Sequence, residues 1–518
     1  MREHIADESV DLIYLDPPFN SARDYNVLFK QAKRDENQAQ ITAFSDTWRW
    51  SKRRYDEFFD DARNVKLFDL IESLHRILGQ SEMMAYLVMM APRLLELHRV
   101  LKPTGSLYLH CDPVASHYLK MVLDAVFGPA TFGNEIIWKR TSAKGLAFTR
   151  FARNHDIILR YTRGQQWTWN AQYVSHDQHY LDRFYRFTEA ATGRRYRLDN
   201  LANPNKNRPN LTYEFLGITR VWRWTRDRMH DAYGKGLIVQ NKPGGVPALK
   251  RYLDEQEGTP VGDIWTDIIP IQASSAERMG YPTQKPLALL ERIINASSNP
   301  GDLVVDPFCG CGTAVVAAER LGRRWIGIDI TYIALDLMVS RLAKDFGLKP
   351  RKDYDVLGEP KDAYSARKLF EESPKQFELW AVSLVAGVPQ PDKSGDRGID
   401  GKVYFQDLES KLQYAACQVK GGHTKPADID AFAQAMNNAK AAIGYFISLE
   451  TPTQGMYDRA EEAGFFDSPS GRRIPKLQIR TIKELLDGKE FDFPKGYSLK
   501  SGGKRLTRTG EQKEMKLE

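Results

Sequence analysis

Three stretches of this sequence group acids, free carbonyls, glycines or a lysine closely enough to do chemistry. The first is Asp16-Pro17-Pro18-Phe19. Two consecutive prolines stiffen the backbone and remove N–H donors, so carbonyls remain free to accept. An acid acceptor, a carbonyl acceptor and an aromatic face within four residues suit a flat heterocycle bearing an exocyclic amine. The bland alternative is a rigid strand-exit turn. The second stretch is Asp306-Pro307-Phe308-Cys309-Gly310-Cys311-Gly312-Thr313, with Asp329 further on. Its glycines let a ligand approach the backbone at a helix N-terminus. Asp329 is placed to grip ribose hydroxyls, by the logic of dinucleotide-binding folds. The third glycine of G-x-G-x-x-G is absent and Asp306 precedes the turn. That extra carboxylate favours a cationic ligand over a pyrophosphate, while the glycines alone also fit an ordinary βα turn. Cys309 and Cys311 have no second Cys/His pair nearby and are not read as metal ligands.

The third stretch lies far downstream. Gly398-Ile399-Asp400-Gly401 and Cys417-Gln418-Val419-Lys420 fall on adjacent expected strands. Strand alternation puts Asp400, Gln418 and Lys420 on one face. Asp400 and Gln418, with the Val419 carbonyl, can bind Mg²⁺, and Lys420 can orient an attacking water. Asn154-His155-Asp156 also sets an imidazole beside an acid, but no nucleophile accompanies it, so a structural or DNA-facing histidine is the better reading.

The elements that must position these groups have an α/β pattern. VDLIYLD (10–16) is a continuous apolar run ended by an acid and two prolines, as expected of a buried parallel strand that stops at a site. A helix is expected near 82–99, a strand at 106–110, a helix at 117–128, and strands at 135–138 and 156–161. From 165 to 260 tryptophan, tyrosine and arginine interleave without a regular period. The pattern resumes with a helix bearing Leu287, Leu290 and Ile294, then strand LVVD, the glycine turn, helix 313–321 and strand WIGID, a βαβ unit. Residues 346–372 read as a charged linker. Ser373-Pro374-Lys375-Gln376 caps a helix with Phe377, Trp380, Ala381 and Leu384 on one face, opening a smaller α/β domain over 373–492. A basic tail, 493–518, reads as disordered.

Composition sets the outer limits. With 518 residues, 42% hydrophobic and 27% charged, the chain is globular and too long for one core. Lys+Arg exceeds Asp+Glu by 74 − 67 = 7, which permits nucleic-acid binding without establishing it. Four cysteines cannot form a disulfide framework, so a reducing cytoplasm is expected. The start, MREHIADESVDL, lacks the apolar stretch of a signal peptide, and LVMMAPRLLEL is broken by Pro92 and Arg93, so no membrane segment is expected.

DPPF followed by DPFCGCGT resembles the β class of amino-methylating DNA methyltransferases, whose catalytic motif precedes the S-adenosylmethionine motif. YPTQKP (281–286), LKPTGSLYLHCD and GNEIIWKR are similar to further segments of that class, and the resemblance covers about 8–345. It implies a Rossmann-like methyltransferase sheet over 1–345, with 165–260 inserted as the target-recognition region. It also implies that Asp16 and the Pro17 carbonyl bond the target amine, Pro18 completes the catalytic turn and Phe19 stacks on a flipped base. By the same resemblance, Asp306, Phe308, Gly310 and Gly312 cradle S-adenosylmethionine, Asp329 holds its ribose, and Lys285 and Thr313 its methionine end. An acid before Pro-Pro points to adenine N6 in double-stranded DNA, with cytosine N4 as the alternative. The class usually has a strand and a Gly-Asp turn upstream of the catalytic strand, whereas only nine residues precede Val10 here. Either the start was called late, or the adenine pocket closes in another way.

Residues 374–490 resemble the Mrr-like form of the PD-(D/E)xK nuclease core, with glutamine in an acid position. That resemblance adds Glu378 to the nuclease set Asp400, Gln418 and Lys420, and implies Mg²⁺ as its metal. Together the two resemblances imply a restriction–modification or phage-defence enzyme of a prokaryotic cytoplasm, near the nucleoid, with a homodimer left open. A DNA-binding protein with decayed catalytic sites is the rival from another class.

Overall fold

In a computed structural model, the described residues are 1–18, 24–28, 40–45, 50–59, 64–142, 151–272, 274–279, 281, 283–330, 332–350, 352–390, 398–406, 412–467, 472–494 and 498–499. The central element is a seven-stranded sheet. In chain order its strands are β1 (Val10–Leu15), β2 (Leu101–Cys111), β3 (Phe132–Lys139), β4 (His155–Thr162), β5 (Ile264–Trp265), β6 (Leu303–Asp306) and β7 (Arg324–Gly327). Their spatial order is β5-β3-β4-β2-β1-β6-β7. β1 runs parallel to both neighbours, and all six of its residues are buried, in keeping with a sequence that is apolar apart from Asp11. Only β4 runs antiparallel to its partners β2 and β3. A Rossmann-like α/β fold follows from this order, with the switch in chain direction lying where β1 and β6 meet.

One acid sits inside that core. Asp11 accepts from Lys102 Nζ at 2.7 Å and from the Leu303 N–H at 2.9 Å, so its buried carboxylate is satisfied.

The helices cover both faces. α1 (Glu82–Val100) is capped by Ser81 and carries Pro92 inside it. α2 (Ser116–Phe127) ends at Gly128, whose φ of +91° breaks the helix. α3 (Leu287–Ser297) starts after Pro286 and buries Leu287, Leu290 and Ile294, the expected face. α4 (Thr313–Arg320) begins at the glycine turn, and α5 (Tyr332–Phe346) follows β7.

Residues 346–372, expected as a linker, contain helix α6 (Ala363–Glu372), capped by Asp362. Its Ala366 is fully buried in the core of the C-terminal sheet, with Leu369 and Phe370 packed against that core. α7 (Pro374–Leu384) follows, with Ser373 Oγ accepting from the Gln376 N–H. The sheet there has β8 (Val388–Pro389), β9 (Gly401–Gln406), β10 (Leu412–Lys420), β11 (Ile443–Ser448) and β12 (Leu477–Thr481) in sequential order. β9 and β10 are antiparallel, whereas β10, β11 and β12 are parallel.

Residues Asn170–Gly262 form a separate compact unit. Its own core gathers Leu201, Tyr213, Phe215, Trp222, Met229 and Leu249. The expected basic tail lies outside the described residues, apart from short pieces at 493–494 and 498–499.

Candidate active site

The site forms where β1 and β6 leave the sheet side by side. Leu12 pairs with Val304 and Ile13 with Val305, so Asp16, just past β1, and Asp306, the last residue of β6, emerge at the same edge. Open α/β sheets place ligand sites at this position. Both acids line a cavity of about 370 Å³.

Asp16 divides its carboxylate between two situations. Lys285 Nζ, on a buried residue, hydrogen-bonds Asp16 Oδ2 and also reaches the Thr283 carbonyl at 3.4 Å. Asp16 Oδ1 is buried and has no hydrogen-bond partner among the described residues. A buried acceptor left without a donor costs about 1–3 kcal/mol, which a ligand N–H would relieve. Pro17 and Pro18 line the same cavity. Phe19 lies outside the described residues.

The second acid is held differently. Asp306 Oδ1 accepts from the Phe308 N–H at 3.0 Å. Burial pushes its carboxyl well above the ordinary range, against the pull of that N–H; the charges of Asp16 and Asp329 add to the rise, and Lys285 opposes it. Asp329, two residues beyond β7, accepts from the Gly310 N–H at 2.9 Å and ties the glycine turn to the next strand end. The turn itself demands glycine. Gly312 has φ +75°, and a Cβ there would meet Met338 Cγ at 2.7 Å. Phe308, Gly310 and Thr313 face the cavity, whereas Gly312 backs the turn from behind. Thr313 Oγ1 accepts from Arg341 Nη1 at 3.4 Å.

These residues suit the group expected from the sequence. Two carboxylates offer acceptors to a cationic ligand, one acid at the second strand end suits ribose hydroxyls, and glycine allows close approach at the start of α4. The side of the cavity unaccounted for by the sequence is closed by Met89, Arg93 and Leu97 of α1 and by Tyr281. The α1 pattern carries no sign of this, because a helical face reads the same whether it covers a core or a cavity.

Tyr14 also lines the cavity, two residues before Asp16. The sequence motifs do not single it out, although period-two alternation from Asp16 is a signal that points to it. Asp156 takes its histidine partner from His110 on β2 rather than from the adjacent His155.

In the C-terminal domain, Asp400 Oδ2 accepts from the Val419 N–H at 2.7 Å, and Gln418 Nε2 donates to the Gly398 carbonyl at 2.9 Å. Glu378 pairs with Lys375 at 2.5 Å. Burial lifts the Asp400 carboxyl to about 6; the Val419 N–H opposes the rise and the Glu378 charge reinforces it. Among the described residues, no three His, Cys, Asp or Glu side chains converge as a metal site.

Comparison with known proteins completes the description. Residues 10–339 match the family model described as a DNA methylase of the N6_N4_Mtase type. Residues 373–487 match the model described as NACHT-associated inactive Restriction Endonuclease 1. The type II methyltransferase M.EcaI of Enterobacter cloacae is 32% identical over 274 residues, 52% of this chain and 60% of that protein. The Mod subunit of the type III enzyme StyLTI from Salmonella typhimurium is 24% identical over 330 residues, 61% of this chain and 47% of its own length. The DNA adenine methyltransferase YhdJ of Escherichia coli is 26% identical over 340 residues, 65% of this chain and 76% of that protein. The chain thus spans less than two thirds of the first two relatives. A DNA modification methylase of Thermus thermophilus, solved with S-adenosylmethionine, shares 16% identity at a TM-score of 0.30, covering 66% of this chain and 90% of that one.

Proposed function

Because this chain belongs to the DNA methylase family, we propose that it methylates an exocyclic base amine in double-stranded DNA, adenine N6 in particular, within restriction–modification or phage defence. The observation that carries this reading is Asp16, which lines the same cavity as Asp306 and whose buried Oδ1 has no hydrogen-bond partner among the described residues. S-adenosylmethionine, when bound, supplies a methyl group on a positively charged sulfur.

The residues would divide the work as follows. Asp16 Oδ1 and the Pro17 carbonyl accept the two amine N–H groups and turn the nitrogen lone pair toward the methyl group. Lys285 orients Asp16 through Oδ2, and therefore serves the acid rather than the cofactor's methionine end. Asp306, the Gly310 turn and Thr313 hold the cofactor, with Asp329 on its ribose. The acid before Pro-Pro, and the relative named as an adenine methyltransferase, favour adenine over cytosine. Exposed Arg220, Arg223, Arg226 and Arg228 of the 170–262 unit supply phosphate or base contacts, while Trp222 builds that unit's core.

Transfer of labelled methyl groups to DNA, followed by nucleoside digestion, tests this. Wild type should yield N6-methyladenine, and Asp16→Ala should lose roughly 10²–10³-fold in rate with cofactor affinity retained. N4-methylcytosine alone would change the base assignment, and an undiminished Asp16→Ala rate would remove Asp16 from the mechanism.

For the C-terminal domain we propose a fold of restriction-endonuclease type that does not cut DNA. Gln418 is a neutral ligand, Glu378 is paired with Lys375, and Asp400 has one oxygen on a backbone N–H. That leaves one carboxylate oxygen beside a neutral amide, a weak hold on Mg²⁺, and the family model matched there is described as inactive. Wild type, Asp400→Ala and Lys420→Ala, each in a methylation-deficient Asp16→Ala background, should all leave unmodified phage DNA intact across a magnesium series. Cutting lost in both C-terminal variants would restore the nuclease reading.

A further inference from the structure

Three buried side chains lead away from the cavity in one line. Tyr14 lies on β1, His110 on β2 and Asp156 on β4, and they are 2%, 0% and 2% exposed. Tyr14 Oη lies 2.9 Å from His110 Nδ1, and His110 Nε2 lies 3.2 Å from Asp156 Oδ2. Arg140 Nε lies 3.0 Å from Asp156 Oδ1. Buried polar chains of this kind are costly unless every member is satisfied, so three of them at a cavity wall need an explanation.

The proton positions follow from the ends. Burial would raise the Asp156 carboxyl, but the hydrogen bond from His110 and the positive charges around it, His110 itself when protonated and then Lys285 and Arg140, bring it below its ordinary value. Asp156 is therefore a carboxylate and must receive the His110 Nε2 proton. That tautomer leaves Nδ1 as an acceptor, and Tyr14 donates to it. Burial, reinforced by Asp16, Asp306 and Asp156, holds the Tyr14 phenol well above its ordinary value, so it keeps its proton. With its hydrogen committed to His110, Tyr14 Oη can present only lone pairs to the cavity.

We propose that Tyr14, His110 and Asp156 form a hydroxyl–imidazole–carboxylate triad that takes the proton shed by the target amine during methyl transfer. The inference rests on the methyltransferase reading above and extends it. The reaction balances as follows. The amine nitrogen forms a bond to the methyl carbon, and the sulfur–carbon bond breaks with its electron pair going to sulfur. One amine N–H breaks with its electrons staying on nitrogen, and the proton leaves by way of Asp16 Oδ1, which accepts that N–H, to Tyr14 Oη. The Tyr14 proton moves to His110 Nδ1, giving an imidazolium that the Asp156 carboxylate stabilises through the Nε2–H, the logic of the serine-hydrolase triad. Once product leaves, His110 returns the proton to Tyr14, and Tyr14 releases it to water entering the cavity. Tyr14 would take the proton at the cavity wall, whereas His110 and Asp156 act through it.

Single-turnover methyl transfer in H₂O and D₂O tests the triad on the full chain, with wild type, Tyr14→Phe, Asp156→Asn and the double variant. Cofactor affinity by calorimetry and melting temperature report whether each variant is intact. The wild-type rate should slow in D₂O. Tyr14→Phe should lose at least ~10²-fold in rate and lose the isotope effect while binding cofactor as before. Asp156→Asn should lose as much, and the double variant no more than either single one, because the three act as a unit. Should Asp156→Asn melt early, Tyr14→Phe and the isotope effect still decide. Wild-type rates in Tyr14→Phe, or additive losses with the isotope effect intact, would reduce the chain to a structural network and leave the methyltransferase reading standing. No transfer by wild type to any DNA would overturn both.

Discussion

At the scale of single residues, the ion pair of Lys285 with Asp16 is the feature whose removal should speak most clearly. Both side chains are largely buried, 10% and 15% exposed. Removing one member of such a pair strands the other charge, at about 3–5 kcal/mol, whereas replacing both is often close to neutral. Lys285→Met should therefore destabilise the chain by about 3 kcal/mol, and adding Asp16→Asn should recover most of that loss. Denaturant unfolding of the two singles and the double gives the coupling directly. If the double variant were as unstable as Lys285→Met, the cost would lie in lost packing rather than in a stranded carboxylate.

Asp400 makes a second residue-scale case, through pH. Its carboxyl titrates near 6 in the folded chain, against about 3.9 unfolded. The folded state thus binds more protons between those values, so this group's contribution is present below about pH 4 and fades as pH rises through about 6. Asp400→Asn does not titrate. Its stability relative to wild type should be least favourable near pH 4 and rise by about 2 kcal/mol by pH 7, after allowance for partial exposure. Hydrogen exchange at the Val419 amide, which Asp400 accepts, reads this locally. A pH-independent difference would mean that Asp400 titrates at its ordinary value.

At the scale of elements, the glycine turn between β6 and α4 has two demands that separate experimentally. Gly312 needs a left-handed backbone, worth ~1–2 kcal/mol against alanine. It also needs space, since a Cβ would strike Met338 Cγ at 2.7 Å, an overpacking cost of ~1–3 kcal/mol. Gly322 shares the left-handed backbone, at φ +70°, with nothing within 4 Å of its would-be Cβ. Gly312→Ala should thus destabilise by about 3 kcal/mol and weaken cofactor binding at least tenfold, whereas Gly322→Ala should cost about 1 kcal/mol and leave binding alone. Equal effects of the two would show that backbone strain alone matters.

The elements also show where the sequence could be read and where it could not. β1 and β6 are legible because parallel strands buried on both faces are apolar almost throughout, Asp11 apart, and each runs out at an acid. The cavity's two carboxylates follow from that pattern. α6 is not legible, because its buried side is only Ala366, Leu369 and Phe370 among Arg367, Lys368, Glu371 and Glu372. The Tyr14–His110–Asp156 line is hidden for a different reason. Its members lie 96 and 46 residues apart, and only the register of three strands joins them. Asp156 beside His155 drew attention in the sequence, yet alternation sends adjacent strand residues to opposite faces.

At the scale of the whole molecule, the Asn170–Gly262 unit carries the last prediction. Its chain ends meet: Tyr173 and Val174 pair antiparallel with Pro260 and Thr259, and His176 Nδ1 lies 2.7 Å from Thr259 Oγ1. With joined ends and a core of its own around Trp222, the unit should transfer between relatives as a cassette. Many of its arginines are already committed, Arg194 to Asp254 and Glu255, Arg251 to Asp199. Arg220, Arg223 and Arg226 remain exposed on its surface. Exchanging 170–262 for the matching segment of a methyltransferase with another target should move the methylated site, as mapped by sequencing of modified bases, with cofactor affinity unchanged. Within the native unit, each of the three arginines that meets a phosphate should, as glutamine, lower the slope of log affinity against log salt by about 0.9. An unmoved site after the exchange, with an unchanged salt slope in the glutamine variants, would shift recognition out of this unit and toward the C-terminal domain.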